Sequence, residues 1–218
     1  NLTSRSLSVS PPVKQVEIFD LEEIKARLSN ADDRMKLFIL LALNCGLYSV
    51  DIGSLKQTEV DWENGRIRRK RTKTRDRSED VPEVDYLLWR ETFSLLKKYR
   101  AVDGELALVN VDGLPLWREY QKDDGKGGSK YVKVDAIKCL YFRLQKSKMK
   151  LPSSAMKPFK TFRKTSASKL DEHSEYGRYA EYFLGEVPRS VAGRHYIQPS
   201  REQFDNAIRW LGQQYGIE

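Results

Sequence analysis

The chain has 218 residues, 39% of them hydrophobic, and a formal net charge of +8. That is enough apolar material for a packed core, and the basic balance favours a polyanionic partner, nucleic acid first and an anionic membrane second. No apolar run approaches the roughly 20 residues that span a bilayer; the longest, Leu37–Leu43, has the length of a buried helix segment.

Residues 1–18 are rich in Ser, Pro and Val without a helical period and read as an extended arm or linker. They carry no charged stretch followed by an apolar one, so a cytoplasmic protein without a secretory signal is expected. Structure is expected to begin at Phe19. Asp20 can cap a helix, Glu23 completes a capping box, and Phe19 can staple against Ile24. A second helix follows, with Met35, Phe38, Ile39, Ala42 and Leu43 at helical spacing and Gly46 just past its end. Cys45 and Cys139 both fall within apolar helical patterns and are expected as buried, reduced thiols. No Cys/His spacing suggests a metal site.

Thr58 to Val84 reads as a small antiparallel sheet. Glu63-Asn64-Gly65 is a hairpin turn between Val60-Asp61-Trp62 and Arg66-Ile67, and a second turn at Thr72-Lys73-Thr74 leads back through Val81-Pro82. The middle of this sheet is strongly basic. Arg66, Arg68, Arg69, Lys70, Arg71, Lys73, Arg75 and Arg77 are accompanied by a single acid, Asp76, so these bases outnumber any local partners and are expected to face nucleic-acid phosphates rather than to form only a solvated charged face. Tyr86 to Tyr99 follows as an amphipathic helix, then a short strand at Leu106–Val109. A polar loop is expected over 119–130, and its Gly run lacks the Gly-Lys-Ser/Thr ending of a nucleotide-binding loop. Further helices are expected over Val134–Lys148, Phe159–Glu172, Tyr176–Leu184 and Ser190–Tyr196. Lys160, Arg163 and Lys164 lie near the start of the second of these, where basic residues at a helix N-terminus suit phosphate. A final helix, Arg201–Tyr215, shows one apolar stripe of Phe204, Ala207, Ile208 and Leu211 that can pack on this domain or on a neighbour.

Two stretches give this order a meaning. Lys160-Thr161-Phe162-Arg163-Lys164-Thr165 resembles the His-x-x-Arg-x-Thr motif of the tyrosine recombinase (phage integrase) family. Leu184-Gly185-Glu186, leading to Arg194-His195-Tyr196, resembles that family's Leu-Gly-His turn and its tyrosine nucleophile. A third, Gly46-Leu47-Tyr48-Ser49-Val50-Asp51-Ile52, resembles Gly-Leu-Arg-x-x-Glu-Ile. The resemblance runs from Phe19 to about Leu211. It implies an α+β fold, mainly helical, with a small basic antiparallel three-stranded β-sheet, and makes 19–218 a catalytic domain normally preceded by a DNA-clamping domain.

It also implies a function: site-specific DNA recombination or integration through a 3′-phosphotyrosine intermediate, on duplex DNA, by a homo-oligomer (a tetramer when assembled), without metal or cofactor, in a bacterial or phage-derived setting. By position, Tyr196 is the nucleophile, Arg163 the second catalytic arginine and Lys73 the turn lysine. Three positions depart from the pattern. Tyr48 replaces the first arginine, Lys160 the histidine of His-x-x-Arg, and Glu186 the histidine or tryptophan after Leu-Gly. Lys160 can still supply a cation. Tyr48 brings no charge, and Glu186 brings the wrong sign. Losing one preorganised donor costs on the order of 10²–10³ in rate, so either another base stands in or cleavage is weak. The candidates are Arg189, Arg194, with His195 beside it, and one arginine of the 66–77 cluster. The alternatives are a catalytically impaired recombinase-fold protein that binds duplex DNA architecturally, and an unrelated basic nucleic-acid-binding domain. The second is weakened by the lack of base-stacking aromatic motifs.

Overall fold

A computed structural model of the protein describes residues 16–72, 81–123, 125, 127–187 and 200–217. The first helix, α1 (Leu21–Asn30), starts where its capping box dictates: Asp20 Oδ1 accepts from Glu23 N–H at 2.7 Å and Glu23 Oε2 from Asp20 N–H at 3.1 Å. Phe19 and Ile24 are both buried. Helix α2 (Asp33–Asn44) is the central element, with Leu37 to Leu43 fully buried, and it ends at Gly46, whose φ of +60° supplies the left-handed step. A short helix, α3 (Ser49–Gly53), follows.

The three-stranded sheet β1 (Val60–Asp61), β2 (Arg66–Arg69) and β3 (Val84–Leu87) is antiparallel, with Ile67 opposite Val60 on one side and Tyr86 on the other. The return strand thus begins at Val84, later than Val81-Pro82. Tyr86 and Leu87 belong to this strand rather than to the following helix, because their backbone pairs with β2 and Val84 and Tyr86 alternate inward. Helix α4 (Arg90–Lys98) begins only after Trp89, whose N–H donates to Asn44 Oδ1 at 2.8 Å.

Leu106–Val109 makes only two isolated bridges, Lys56 with Leu106 and Val109 with Pro115. The expected polar loop is instead an antiparallel hairpin, β4 (Trp117–Asp123) and β5 (Ser129–Asp135), turned by Gly125 and Gly127 at positive φ. Helix α5 (Ala136–Arg143) continues into a wider π-turn over Leu144–Lys148, and buries Ile137, Tyr141 and Leu144. Cys45 is buried as expected, but Cys139 is exposed, because it lies on the face of α5 away from Ile137 and Tyr141.

Helix α6 (Thr161–Asp171) carries the Arg163 motif; a 3₁₀ turn (Gly177–Tyr179) and a short helix, α7 (Ala180–Phe183), replace the single helix expected over Tyr176–Leu184. Helix α8 (Arg201–Tyr215) packs on this domain through the expected stripe. Phe204, Ala207, Ile208 and Leu211 are buried, and Trp89 Nε1–H donates to Ile208 O at 2.8 Å. No helix among the described residues is long and apolar enough to cross a membrane.

Candidate functional site

Arg163 sits in the first turn of α6 and is 3% exposed. Its guanidinium donates to Gly46 O and, at 2.6 Å, to Leu184 O. Two backbone carbonyls, one after α2 and one in the Leu184-Gly185 turn, therefore aim it and use two of its five donors. The aim depends on glycine: a Cβ at Gly46 would lie 2.8 Å from Phe183 Cε1.

Tyr48, the residue at the first-arginine position, is half-buried, and its ring carries two guanidinium groups. The Arg163 Cζ lies 4.7 Å and the Arg71 Cζ 5.2 Å from the ring centroid. Arg71 Nη2 is also 3.5 Å from Tyr48 Oη. The Tyr48 backbone is fixed by Asp51, whose carboxylate accepts from Tyr48 N–H at 3.0 Å and from Thr72 N–H at 3.2 Å. One buried acid thereby ties the start of α3 to the chain leaving β2. Glu186 completes the group. Its Oε1 is 3.2 Å from Arg71 Nη1 and 4.0 Å from Arg163 Nη2.

Beside this group opens a cleft of about 670 Å³, lined by Tyr48, Arg71, Trp117, Phe142, Gln145 and Lys160 among others. Lys160 is exposed at the start of α6, so the structure brings it, Arg71 and Tyr48 to one concavity with Arg163 behind them. Tyr48, Lys160 and Glu186, the three residues expected to depart from the motif, and Arg163 thus belong to a single locale. Lys73, Arg75, Arg189, Arg194, His195 and Tyr196 lie outside the described residues.

The basic cluster divides. Arg66 is 3% exposed and makes a two-point pair with Asp205, at 2.9 and 2.8 Å, while its Nε donates to Asp85 at 2.7 Å. Burial works against its charge, but the Asp205 and Asp85 carboxylates more than offset this and hold its pKa above the ordinary value. Arg69 is equally buried and donates to Asp51 O, Ser54 Oγ and Thr72 Oγ1. The expectation that these two face DNA is corrected by their burial: they hold the sheet to α8 and to α3. Arg68 is exposed, with an ion pair to Asp85 at 3.2 Å, and Lys70, Arg71 and Lys164 are partly exposed. Sequence reasoning did not mark the β4–β5 hairpin, which adds exposed Lys122, Lys130, Tyr120 and Tyr131 to the surface. Among the described residues no cluster of His, Cys, Asp and Glu could hold a metal ion.

No protein-family profile matches the chain, and no curated protein sequence matches it. Solved structures do. A XerA recombinase aligns over 95% of this chain at 18% identity with a TM-score of 0.57. The integrase of mycobacterium phage Brujita aligns over 93% at 12% identity with a TM-score of 0.62. The Tn1549 transposon integrase, in complex with circular intermediate DNA, aligns over 92% at 12% identity with a TM-score of 0.58. The chain spans 66%, 60% and 68% of those three chains, respectively. The chain therefore has the catalytic-domain fold of tyrosine recombinases and integrases.

Proposed function

We propose that the protein is a site-specific tyrosine recombinase or integrase that cuts and rejoins duplex DNA through a 3′-phosphotyrosine. The observation that carries this reading is the convergence of Arg163, Arg71 and Lys160 around Tyr48 at one cleft. Forked guanidinium groups suit the non-bridging oxygens of a phosphodiester, whose charge grows as a nucleophile attacks.

Tyr196 is the nucleophile in this reading. Its support is its place after the Leu184-Gly185 turn, whose Leu184 carbonyl also aims Arg163. The tyrosine oxygen bonds to phosphorus as the P–O5′ bond breaks; the phenol gives up its proton to solvent water, and the leaving 5′ oxygen takes one from a lysine, Lys73 or Lys160, which solvent then reprotonates. Rejoining reverses these steps with a different 5′-hydroxyl, so no energy cofactor is needed. Duplex DNA is bound by Arg68, Lys70, Lys164 and the hairpin lysines, in a homo-oligomer assembled on the DNA. Arg75 completes this set from outside the described residues. Binding should fall steeply with salt.

A second reading, DNA binding without cleavage, draws on Glu186, whose carboxylate stands where a phosphate would be gripped. The experiment that separates them uses nicked suicide duplexes from a random pool and a denaturing gel, with Tyr196→Phe beside the wild type. A covalent protein–DNA band lost in the phenylalanine variant is the expected result. Salt-sensitive duplex binding without any covalent band refutes the enzyme and leaves the architectural reading.

A further inference from the structure

We infer that Arg71 is the second guanidinium that grips the scissile phosphate, and that Glu186 occupies the grip until a DNA phosphate displaces it. The inference rests on the cleavage reading above, and assigns its missing cation.

A tyrosine at position 48 leaves the phosphate one positive charge short. Arg71 approaches the same place from another element. It leaves the end of β2, lines the cleft with Tyr48 and Lys160, and sets its guanidinium on the Tyr48 ring alongside that of Arg163. Of the described arginines in the basic cluster, Arg66 and Arg69 are buried in pairings within the fold and Arg68 turns to Asp85; Arg71 is the one that lines the cleft. Its position is built rather than incidental. The next residue, Thr72, is held through its N–H by Asp51, and the Leu184-Gly185 turn lies beside it, where a Cβ at Gly185 would make an ordinary van der Waals contact of 3.6 Å with Arg71 Cβ. Tyr48 then acts as a platform: its ring orients both guanidinium groups without competing for the phosphate.

Glu186 shows what the pair is suited to hold. One carboxylate oxygen reaches both Arg71 and Arg163, as a non-bridging phosphate oxygen would. The Glu186 side chain is 41% exposed, so this pairing is weak and open to exchange. A phosphodiester entering the cleft replaces one singly charged anion with another, so the two guanidinium groups face one negative charge before and after the exchange.

The test measures covalent capture on suicide duplexes and equilibrium binding to the same duplexes, for wild type, Arg71→Ala, Arg71→Lys, Arg68→Ala and Glu186→Gln. Thermal melts check that each variant folds. Arg71→Ala should lower the capture rate on the order of 10²–10³-fold, with Arg71→Lys between, while losing no more duplex affinity than Arg68→Ala. A neutral methylphosphonate at the cleaved position should close most of the gap between Arg71→Ala and wild type, because the uncompensated charge is gone. A capture rate for Arg71→Ala within a factor of a few of wild type overturns the assignment. Should wild type capture no DNA, the cleavage reading fails, and the grip is still decided by binding. Glu186→Gln should then tighten duplex binding severalfold in the wild-type background and much less beside Arg71→Ala. Equal tightening in both backgrounds, or none, overturns it.

Discussion

Arg66 and Arg68 lie on one strand, two residues apart, and both contact Asp85, yet they should behave oppositely when replaced by methionine. Arg66 has a side chain 4% exposed, facing Asp205 at 12% and Asp85 at 22%. Arg66→Met keeps the aliphatic stem and strips the charge. Asp85 retains Arg68 at 3.2 Å and Arg201 at 3.5 Å, but Asp205 loses a two-point partner in a buried setting. Breaking a buried pair from one side costs about 3–5 kcal/mol. For a chain of this length each kcal/mol lowers Tm by about 2–4 °C, so the expected drop is roughly 6–20 °C. Adding Asp205→Leu should restore most of it, because removing both partners leaves no stranded charge. Arg68 is 50% exposed, and Arg68→Met should cost no more than about 1 kcal/mol. Duplex affinity, measured well below either Tm, should be nearly unchanged in Arg66→Met and clearly weaker in Arg68→Met. Urea melts and a salt-series binding assay read both quantities. A loss below about 1 kcal/mol for Arg66→Met, or a loss of DNA affinity equal to that of Arg68→Met, would refute the division of the basic cluster.

Gly46→Ala should destabilise the fold by about 1–3 kcal/mol, through a left-handed backbone and a Cβ 2.8 Å from Phe183 Cε1. It should also slow covalent capture, because Gly46 O aims Arg163; Gly113→Ala, at φ +74° with nothing within 4 Å, should show only the smaller backbone cost in a chemical melt. Burial, partly offset by Arg27, pushes the Tyr141 phenol up to about 12. The folded state therefore holds this proton more tightly than an unfolded phenol with a pKa of about 10. Its contribution is full below pH 10 and is lost as pH rises through 12, so phenolate absorbance from Tyr141 should appear together with alkaline unfolding followed by circular dichroism. Lys122 and Lys130 are directly opposite on the exposed hairpin. Lys122→Glu should stabilise the hairpin by about 0.2–1 kcal/mol while weakening duplex binding, and a variant improved or worsened in both would contradict a DNA-facing role.

What could be read from the sequence follows from how far each signal reaches along the chain. Helix α1 was legible because Asp20 and Glu23 satisfy each other within one turn, and α8 because its stripe of Phe204, Ala207, Ile208 and Leu211 is periodic. The β4–β5 hairpin was not, since its described residues over 119–130 are all exposed and no inward–outward alternation is written into that stretch. The start of α4 was misplaced because Tyr86, Leu87 and Leu88 fit an apolar helix face as well as a strand; pairing with Ile67 decides between them.

The arginines show the same limit in its sharpest form. What buries Arg66 is Asp205, 139 residues away, so charge density along 66–77 could not distinguish a structural cation from a surface one. At the candidate site the limit acts in the other direction. Tyr48 reads as a lost cation when each motif is matched position by position. A phosphate, however, responds to where guanidinium groups lie in space, and Arg71 reaches the Tyr48 ring from the chain just past β2. The sequence does hold the means of finding such a stand-in, an arginine-rich strand beside the defective motif. Choosing Arg71 among its neighbours required knowing which of them the fold had already engaged.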